Sequence, residues 1–353
     1  MHQNTLCPTD LGIIMSYQCQ CACKHCLYNC GPRWKEWMSP RTLREALQAT
    51  RAWNHHFQIH LTGGEPFLNF PLLLEGVRIA AELGIPCYVE TNAGWCRREK
   101  DVTDKFAALK EAGLSAILIS CSPFHAEKIP PARTFLAIRI ALQIFGSQRV
   151  MVYMTQCLEQ VQLFDVEKTT PIERYVERFG LERAGRLLWD GYSIISGGRS
   201  GYALGYLTRK RPAAAFQGQS CFTETIHAHH SHFDLYGNYI SWFCGGLTVG
   251  DWRNLPQVLN DFQNHRFSLL VGILIRSGPF GLFEMARAEY GYQELPQGYA
   301  GKCHLCVDVR RCLYQRGEFA ELRPGEFYED AVTTCPISRK IHEPGGHAVL
   351  TKQ

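Results

Sequence analysis

From residue 11 onward, short apolar runs alternate with longer amphipathic segments, and no other feature of the chain constrains its fold as strongly. Residues 11–17, 57–62, 86–90, 115–120 and 149–154 read as strands, with 191–195 as a sixth. Between them, Pro40–Trp53, 71–83, 101–112, Pro131–Phe145 and 171–188 read as helices. Ser39 can cap the first helix ahead of Pro40, and Gly84 and Gly113 close the second and third. Repeated β/α units imply a parallel sheet with helices outside and gather ligand-binding groups at the C-terminal ends of the strands.

The residues at those strand ends carry the chemistry. Directly after the first strand, Cys19, Cys23 and Cys26 form a C-x3-C-x2-C run, with Cys21 inside it and Cys30 just beyond. Thiolates hold iron-sulfur clusters, and a [4Fe-4S] cube bound by three protein sulfurs keeps one iron open to a further ligand. Zinc is the rival occupant. After the second strand come Gly63, Gly64, Glu65 and Pro66, where paired glycines let the backbone approach a ligand closely. Thr91 and Asn92 end the third strand and suit hydrogen bonds to a ribose or an adenine edge, or a plain loop cap.

The cysteine run resembles the cluster motif of the radical S-adenosylmethionine (radical SAM) superfamily, with His25 in the place of its aromatic residue. Gly63-Gly64-Glu65 resembles the GGE motif of that family, which contacts the amino group of SAM. The resemblance implies a partial (β/α)6 TIM-like barrel, and a [4Fe-4S] cluster on Cys19, Cys23 and Cys26 whose open iron chelates SAM. It further implies reductive cleavage of SAM to a 5'-deoxyadenosyl radical that takes a hydrogen atom from substrate, fed by a flavodoxin- or ferredoxin-type electron donor. Ser120 and Ser122, after the fourth strand, match the family's ribose-binding position, Ser120 being slightly favoured. Arg199, in Ser196-Gly197-Gly198-Arg199-Ser200, could anchor a carboxylate of SAM or substrate, or form a structural ion pair. His125, at the same rim, is open to a substrate contact or to a satisfied loop position.

Beyond about residue 217 the β/α rhythm stops and cysteines return, so the chain divides into a barrel over 1–215 and a small cysteine-rich α+β domain over 216–353. Cys303, Cys306 and Cys312, with Cys335 further on, resemble an auxiliary-cluster site of SPASM domains, which occur in peptide-modifying radical SAM enzymes. Arg316 stands where such a domain continues with another cysteine, so one auxiliary cluster is expected rather than two. The shorter twitch-type domains suggest a different set, Cys221, Cys244, Cys303 and Cys306, and a structural zinc remains the rival for either. If Cys244 binds no metal, it could act as the hydrogen-atom donor of an epimerisation. His227, His229, His230 and His232 precede the Tyr236-Gly237 turn and read as a polar strand or loop, with a soft-metal site as the alternative.

Composition narrows the partners. Of 353 residues 46% are hydrophobic and 20% charged, so a large core is available and disorder is not expected. Net charge is +4, and the one dense basic cluster, Arg209-Lys210-Arg211, reads as a solvated loop rather than a nucleic-acid site. Sixteen cysteines without a basic-then-apolar leader point to metal ligation in a reducing cytoplasm. No membrane segment is expected, because the apolar run 269–275 is cut short by Arg276. A peptide or protein substrate follows from the SPASM resemblance, and a small polar molecule such as a sugar or nucleotide from the twitch alternative. A non-catalytic iron-sulfur or zinc protein is the reading from another class.

Overall fold

A computed structural model describes residues 6, 8–53 and 58–329. Strands β1 (Asp10–Ile14), β2 (Gln58–Thr62), β3 (Cys87–Thr91), β4 (Ala116–Ser120) and β5 (Val150–Tyr153) pair in parallel in chain order. Helices α1 (Pro40–Trp53), α2 (Phe70–Glu82), α3 (Glu99–Glu111) and α4 (Pro131–Phe145) make the crossovers. Their start signals are local. The Ser39 hydroxyl accepts from Thr42 N–H at 3.0 Å ahead of α1, and the Asn69 carbonyl oxygen accepts from Leu72 N–H at 3.3 Å ahead of α2.

Period-2 alternation sorts the strand residues. Leu11, Ile13, Ile59, Leu61, Cys87, Val89, Ile117 and Ile119 join the main core beneath the helices. Their neighbours on the other face are mostly polar: Thr62, Tyr88, Glu90 and Ser120 border an interior cavity. The result is the expected α/β architecture, a mostly parallel sheet covered outside by helices.

The sixth strand is not the expected one. At 191–195 the chain stays in helical and turn geometry, because its amide donors are captured locally: Gly191 N–H reaches Arg186 O at 2.9 Å and Ile194 N–H reaches Trp189 O at 3.0 Å. A strand needs those donors for its ladder. Instead β6 (His230–Asp234) pairs in parallel with β1 on its free edge, and β7 (Asn238–Ser241) and β8 (Gly250–Asp251) continue antiparallel from it. The sheet order is therefore β5-β4-β3-β2-β1-β6-β7-β8. The boundary expected near residue 215 does not coincide with an edge of this sheet.

After β8 come α5 (Leu269–Tyr290) and α6 (Lys302–Tyr314), packed on each other. By length and composition α5 could cross a membrane, the one such helix among the described residues, running past Arg276 where the apolar stretch was expected to stop. It is broken at Gly278 (φ 66°), ahead of Pro279, and buries Leu270, Val271, Leu274, Leu282 and Phe283 in the main core.

Candidate active site

Above the C-terminal ends of β1–β4 lies a cavity of about 410 Å³. Its wall includes Cys19, Cys21, Cys23, Cys26 and Cys30 from the loop after β1, and Gly63 and Gly64 after β2. Thr91, Asn92, Ser120, His25 and Arg199 complete the rim. The sequence-predicted residues of five separate segments thus face one space.

The two glycines grip the cysteine loop. Gly64 N–H donates to Ser16 O at 2.8 Å and Glu65 N–H to Gln18 O at 2.9 Å. A Cβ at Gly63, whose φ is +130°, would fall 2.2 Å from Ser16 O, and one at Gly64 only 1.9 Å from Gln18 O. No side chain fits between these backbones. Glycine is required here by the approach of one protein segment to another, and this approach sets where the cysteines stand.

Glu65 follows the two glycines and points back into the protein. Its side chain does not border the cavity; it is fully buried and accepts from Asn92 N–H (2.8 Å), Thr91 Oγ1 (2.9 Å) and Phe67 N–H (3.2 Å). Burial pushes its carboxyl up to about 7, against the pull of those donors. It braces the end of β3 against the turn after β2. Asn92, held by that brace, donates through Nδ2 to Cys19 Sγ at 3.4 Å and accepts from Gln20 Nε2 at 2.7 Å. Thr91 Oγ1 is occupied by Glu65 and by donors from Ala93 N–H and Trp95 Nε1.

Arg199 also serves the loop. Its Nε donates to Cys23 O (3.0 Å), its Nη2 to Cys30 O (2.6 Å), and its own N–H to Cys26 O (3.0 Å). A Cβ at Gly198 would lie 2.3 Å from Cys26 O, so this segment too presses directly on the loop backbone. The guanidinium, with Cys30 as hydrogen-bond partner, holds the Cys26 thiol well below its ordinary range, whereas the Cys21 thiol and burial push Cys19 up.

Ser120 borders the cavity, while Ser122 turns away to cap a short helix and lies 2.7 Å from His125 Nδ1. His25 stacks on Phe124 at 5.0 Å and meets His125 edge-on at 4.7 Å, and its buried Nδ1 has no hydrogen-bond partner among the described residues. Burial pushes His125 down to about 4, so it is neutral near pH 7.

A second, smaller cavity brings together Cys221, Cys244, Cys303 and Cys306, beside Lys302, Glu224 and Arg310. Cys303 and Cys306 lie one turn apart on α6. Cys312 is nine residues beyond Cys303, about 180° around the helix, and is buried in the main core instead. The favoured set of Cys303, Cys306, Cys312 and Cys335 is thus not gathered at this cavity: Cys312 faces elsewhere, and Cys335 lies outside the described residues. Cys244 borders this second cavity and not the first. Phe243 borders both, and Gly198 and Arg199 belong to the wall between them.

The family model described as "Radical SAM superfamily" matches residues 13–132, which include every cysteine and glycine of the first cavity named above. Over those residues the chain is similar to radical SAM domains. Members of this superfamily are enzymes that use SAM and a [4Fe-4S] cluster, and the donor set here fits the cluster: five thiols border one cavity. Among curated proteins, the chain is 28% identical over 117 residues to the "Putative peptide biosynthesis protein YydG" of Bacillus subtilis (strain 168). That similarity covers 33% of this chain and 36% of the relative, so the chain matches about a third of that relative's length. Among solved structures, anSMEcpe with bound AdoMet and Cp18Cys peptide aligns over 88% of this chain and 98% of its own, with 12% identity and a TM-score of 0.46. BtrN in complex with AdoMet and 2-DOIA aligns over 78% and 90%, with 14% identity and a TM-score of 0.40.

Sequence reasoning missed several residues of the first cavity. Tyr88, Glu90 and Tyr28 border it; His230 and His232, which the sequence placed in a polar strand or loop with a soft-metal site as the alternative, border it from β6. The signal lay in the polar positions alternating with apolar ones in β2, β3 and β6.

Proposed function

We propose that this chain is a radical SAM enzyme acting on a peptide or protein, at a side chain or at the backbone, with oxidation, cross-linking, thioether formation or epimerisation as the outcome. The observation that carries the reading is the pair of cysteine-lined cavities on two sides of one wall, the first clasped by Gly63 and Gly64. Cys19, Cys23 and Cys26 would hold the first cluster, and when bound, cluster and SAM together supply a 5'-deoxyadenosyl radical that abstracts a hydrogen atom. The protein's own residues orient and exclude water. The Gly63 backbone, Asn92 and Ser120 present polar groups to SAM, while Gly64, Glu65, Thr91 and Arg199 act as positioning residues through the cysteine loop and Asn92. The peptide assignment leans on the name of the Bacillus subtilis relative.

In this reading the first 215 residues carry the SAM chemistry and the rest supplies an auxiliary [4Fe-4S] site. Cys221, Cys244, Cys303 and Cys306 are its proposed ligands, with the Lys302 and Arg310 cations offsetting thiolate charge. Cys244 is then a ligand rather than a hydrogen-atom donor. A flavodoxin- or ferredoxin-type protein would supply the electron. The test uses anaerobically reconstituted protein: iron, sulfide and zinc content, with 5'-deoxyadenosine formation under dithionite, for wild type and a Cys19, Cys23 and Cys26 triple alanine variant. About eight irons, falling to about four with loss of 5'-deoxyadenosine, are expected. About four irons with one zinc in wild type would make the second site structural, and absence of SAM cleavage would overturn the enzyme reading.

A further inference from the structure

Beside the first cavity lie three imidazoles that neither cysteine set uses, two of them bordering it. His60 on β2 and His230 and His232 on β6 place one ring nitrogen each within 4.8 Å of the others, the only such group of three among the described residues. They meet because β1 separates their strands and carries no side chain between them: Gly12 pairs in register with both His60 and His232. A Cβ at Gly12 would lie 2.3 Å from His232 Cδ2 and 2.6 Å from His60 Nε2.

The outer nitrogens of the three rings have acceptors. Asp10, one step back on β1, places Oδ1 3.0 Å from His60 Nδ1 and Oδ2 3.4 Å from His230 Nδ1. Tyr88 Oη donates to Asp10 Oδ2 at 2.8 Å and its ring stacks on His60 at 4.9 Å, which fixes carboxylate and imidazole together. His232 Nδ1 lies 3.2 Å from Trp242 O and 3.1 Å from Tyr28 Oη, which is also 3.3 Å from Nε2. In the tautomer with each proton on Nδ1, Nε2 of each ring is free to ligate. His230 Nε2 and His232 Nε2 are 3.1 Å apart, and His60 Nε2 is fully buried without a hydrogen-bond partner, with Glu90 Oε1 at 3.7 Å. A buried ring nitrogen left without a hydrogen bond costs about 1–3 kcal/mol, and a cation shared by the three rings would offset that cost.

We propose that His60, His230 and His232 form a mononuclear site for a divalent transition metal, ligated through Nε2, with Asp10 as the carboxylate that orients two of the three rings. Three imidazoles suit zinc and its neighbours, and Asp10 and Glu90 supply the balancing negative charge. Because His230 and His232 border the cavity, an ion held by them would lie beside it. The site is independent of SAM and of either cluster.

The test uses anaerobically reconstituted holoenzyme, its cysteine sites filled with iron, dialysed against Zn²⁺ and then against buffer. Wild type should retain one zinc per chain more than His60→Ala and His232→Ala at equal iron content, and zinc-edge X-ray absorption should show nitrogen scatterers at about 2.0–2.1 Å without sulfur at about 2.3 Å. Asp10→Asn keeps all three ligands and should weaken zinc binding by about 10–100-fold, guarding against loss of fold in the histidine variants. Zinc retained equally by wild type and a folded His232→Ala, zinc bound through sulfur, or no zinc retained by wild type would each overturn the proposal. Loss of SAM cleavage with zinc binding intact would instead count against the radical reading alone.

Discussion

Replacing Gly64 by Ala adds one methyl group at the clasp between the second strand and the cysteine loop. Ordinary van der Waals contact begins at 3.4 Å and the new Cβ would stand 1.9 Å from Gln18 O, so the two backbones must part by about 1.5 Å. That separation breaks two hydrogen bonds, Gly64 N–H to Ser16 O and Glu65 N–H to Gln18 O. Leaving those groups unsatisfied costs about 1–3 kcal/mol for each bond, so a loss of about 2–6 kcal/mol is expected, a large share of a typical stability of about 5–15 kcal/mol. Gly84→Ala is the control. Gly84 sits at φ +64° with nothing within 4 Å of a new Cβ, so its cost is conformational alone, about 1–2 kcal/mol. Gly64 lies outside the left-handed region, so backbone preference by itself ranks Gly84→Ala as the worse change, whereas the clasp ranks Gly64→Ala as worse. Urea unfolding of the metal-free proteins, followed by circular dichroism, measures the order, and iron retained after reconstitution reports the loop. A Gly64→Ala protein with a urea midpoint at or above that of Gly84→Ala, and with a full iron complement, would refute the reasoning.

Two further outcomes are expected. Cys221→Ala should lose about four irons relative to wild type while Cys312→Ala loses none, because only the former borders the second cavity; iron and sulfide analysis of the two purified variants decides between the ligand sets. Glu65, raised by burial to about 7 from an unfolded value near 4.5, binds its proton more tightly in the folded state, so its contribution to stability is full below about pH 4.5 and is lost as pH rises through 7. Glu65→Gln mimics the protonated form and should therefore gain about 2–3 kcal/mol relative to wild type between pH 5 and pH 8, measured by urea unfolding at both values; a pH-independent difference would contradict the burial argument.

Much of the site was legible because its signals are local. The cysteine run, the paired glycines and the polar residues ending β3 and β4 each sit within a few positions of a strand end, and alternation with helices is enough to bring strand ends together. The missing strand at 191–195 shows where this stops. Its apolar residues satisfy the composition of a strand, yet Tyr192 and Ile194 pack with Trp189, Phe124 and Tyr175 in a separate cluster while their segment keeps its amides in local turns. Composition cannot distinguish those two burials.

By itself the sequence determined the kind of chemistry: thiols at cluster spacing, a glycine pair at a strand end, and the β/α order that puts them on one rim. Only the tertiary structure decided the assignments that depend on which strands and faces become neighbours. The rotation of α6 turns Cys312 away from Cys303, and the brace at β3 turns the Glu65 carboxylate away from the cavity. The pairing of β6 against β1 brings His230 and His232 across Gly12 to His60. The reason is physical. Periodicity records which face of an element a residue occupies, but cross-strand register and helix rotation are set by packing between segments far apart in the chain, and no local pattern encodes that.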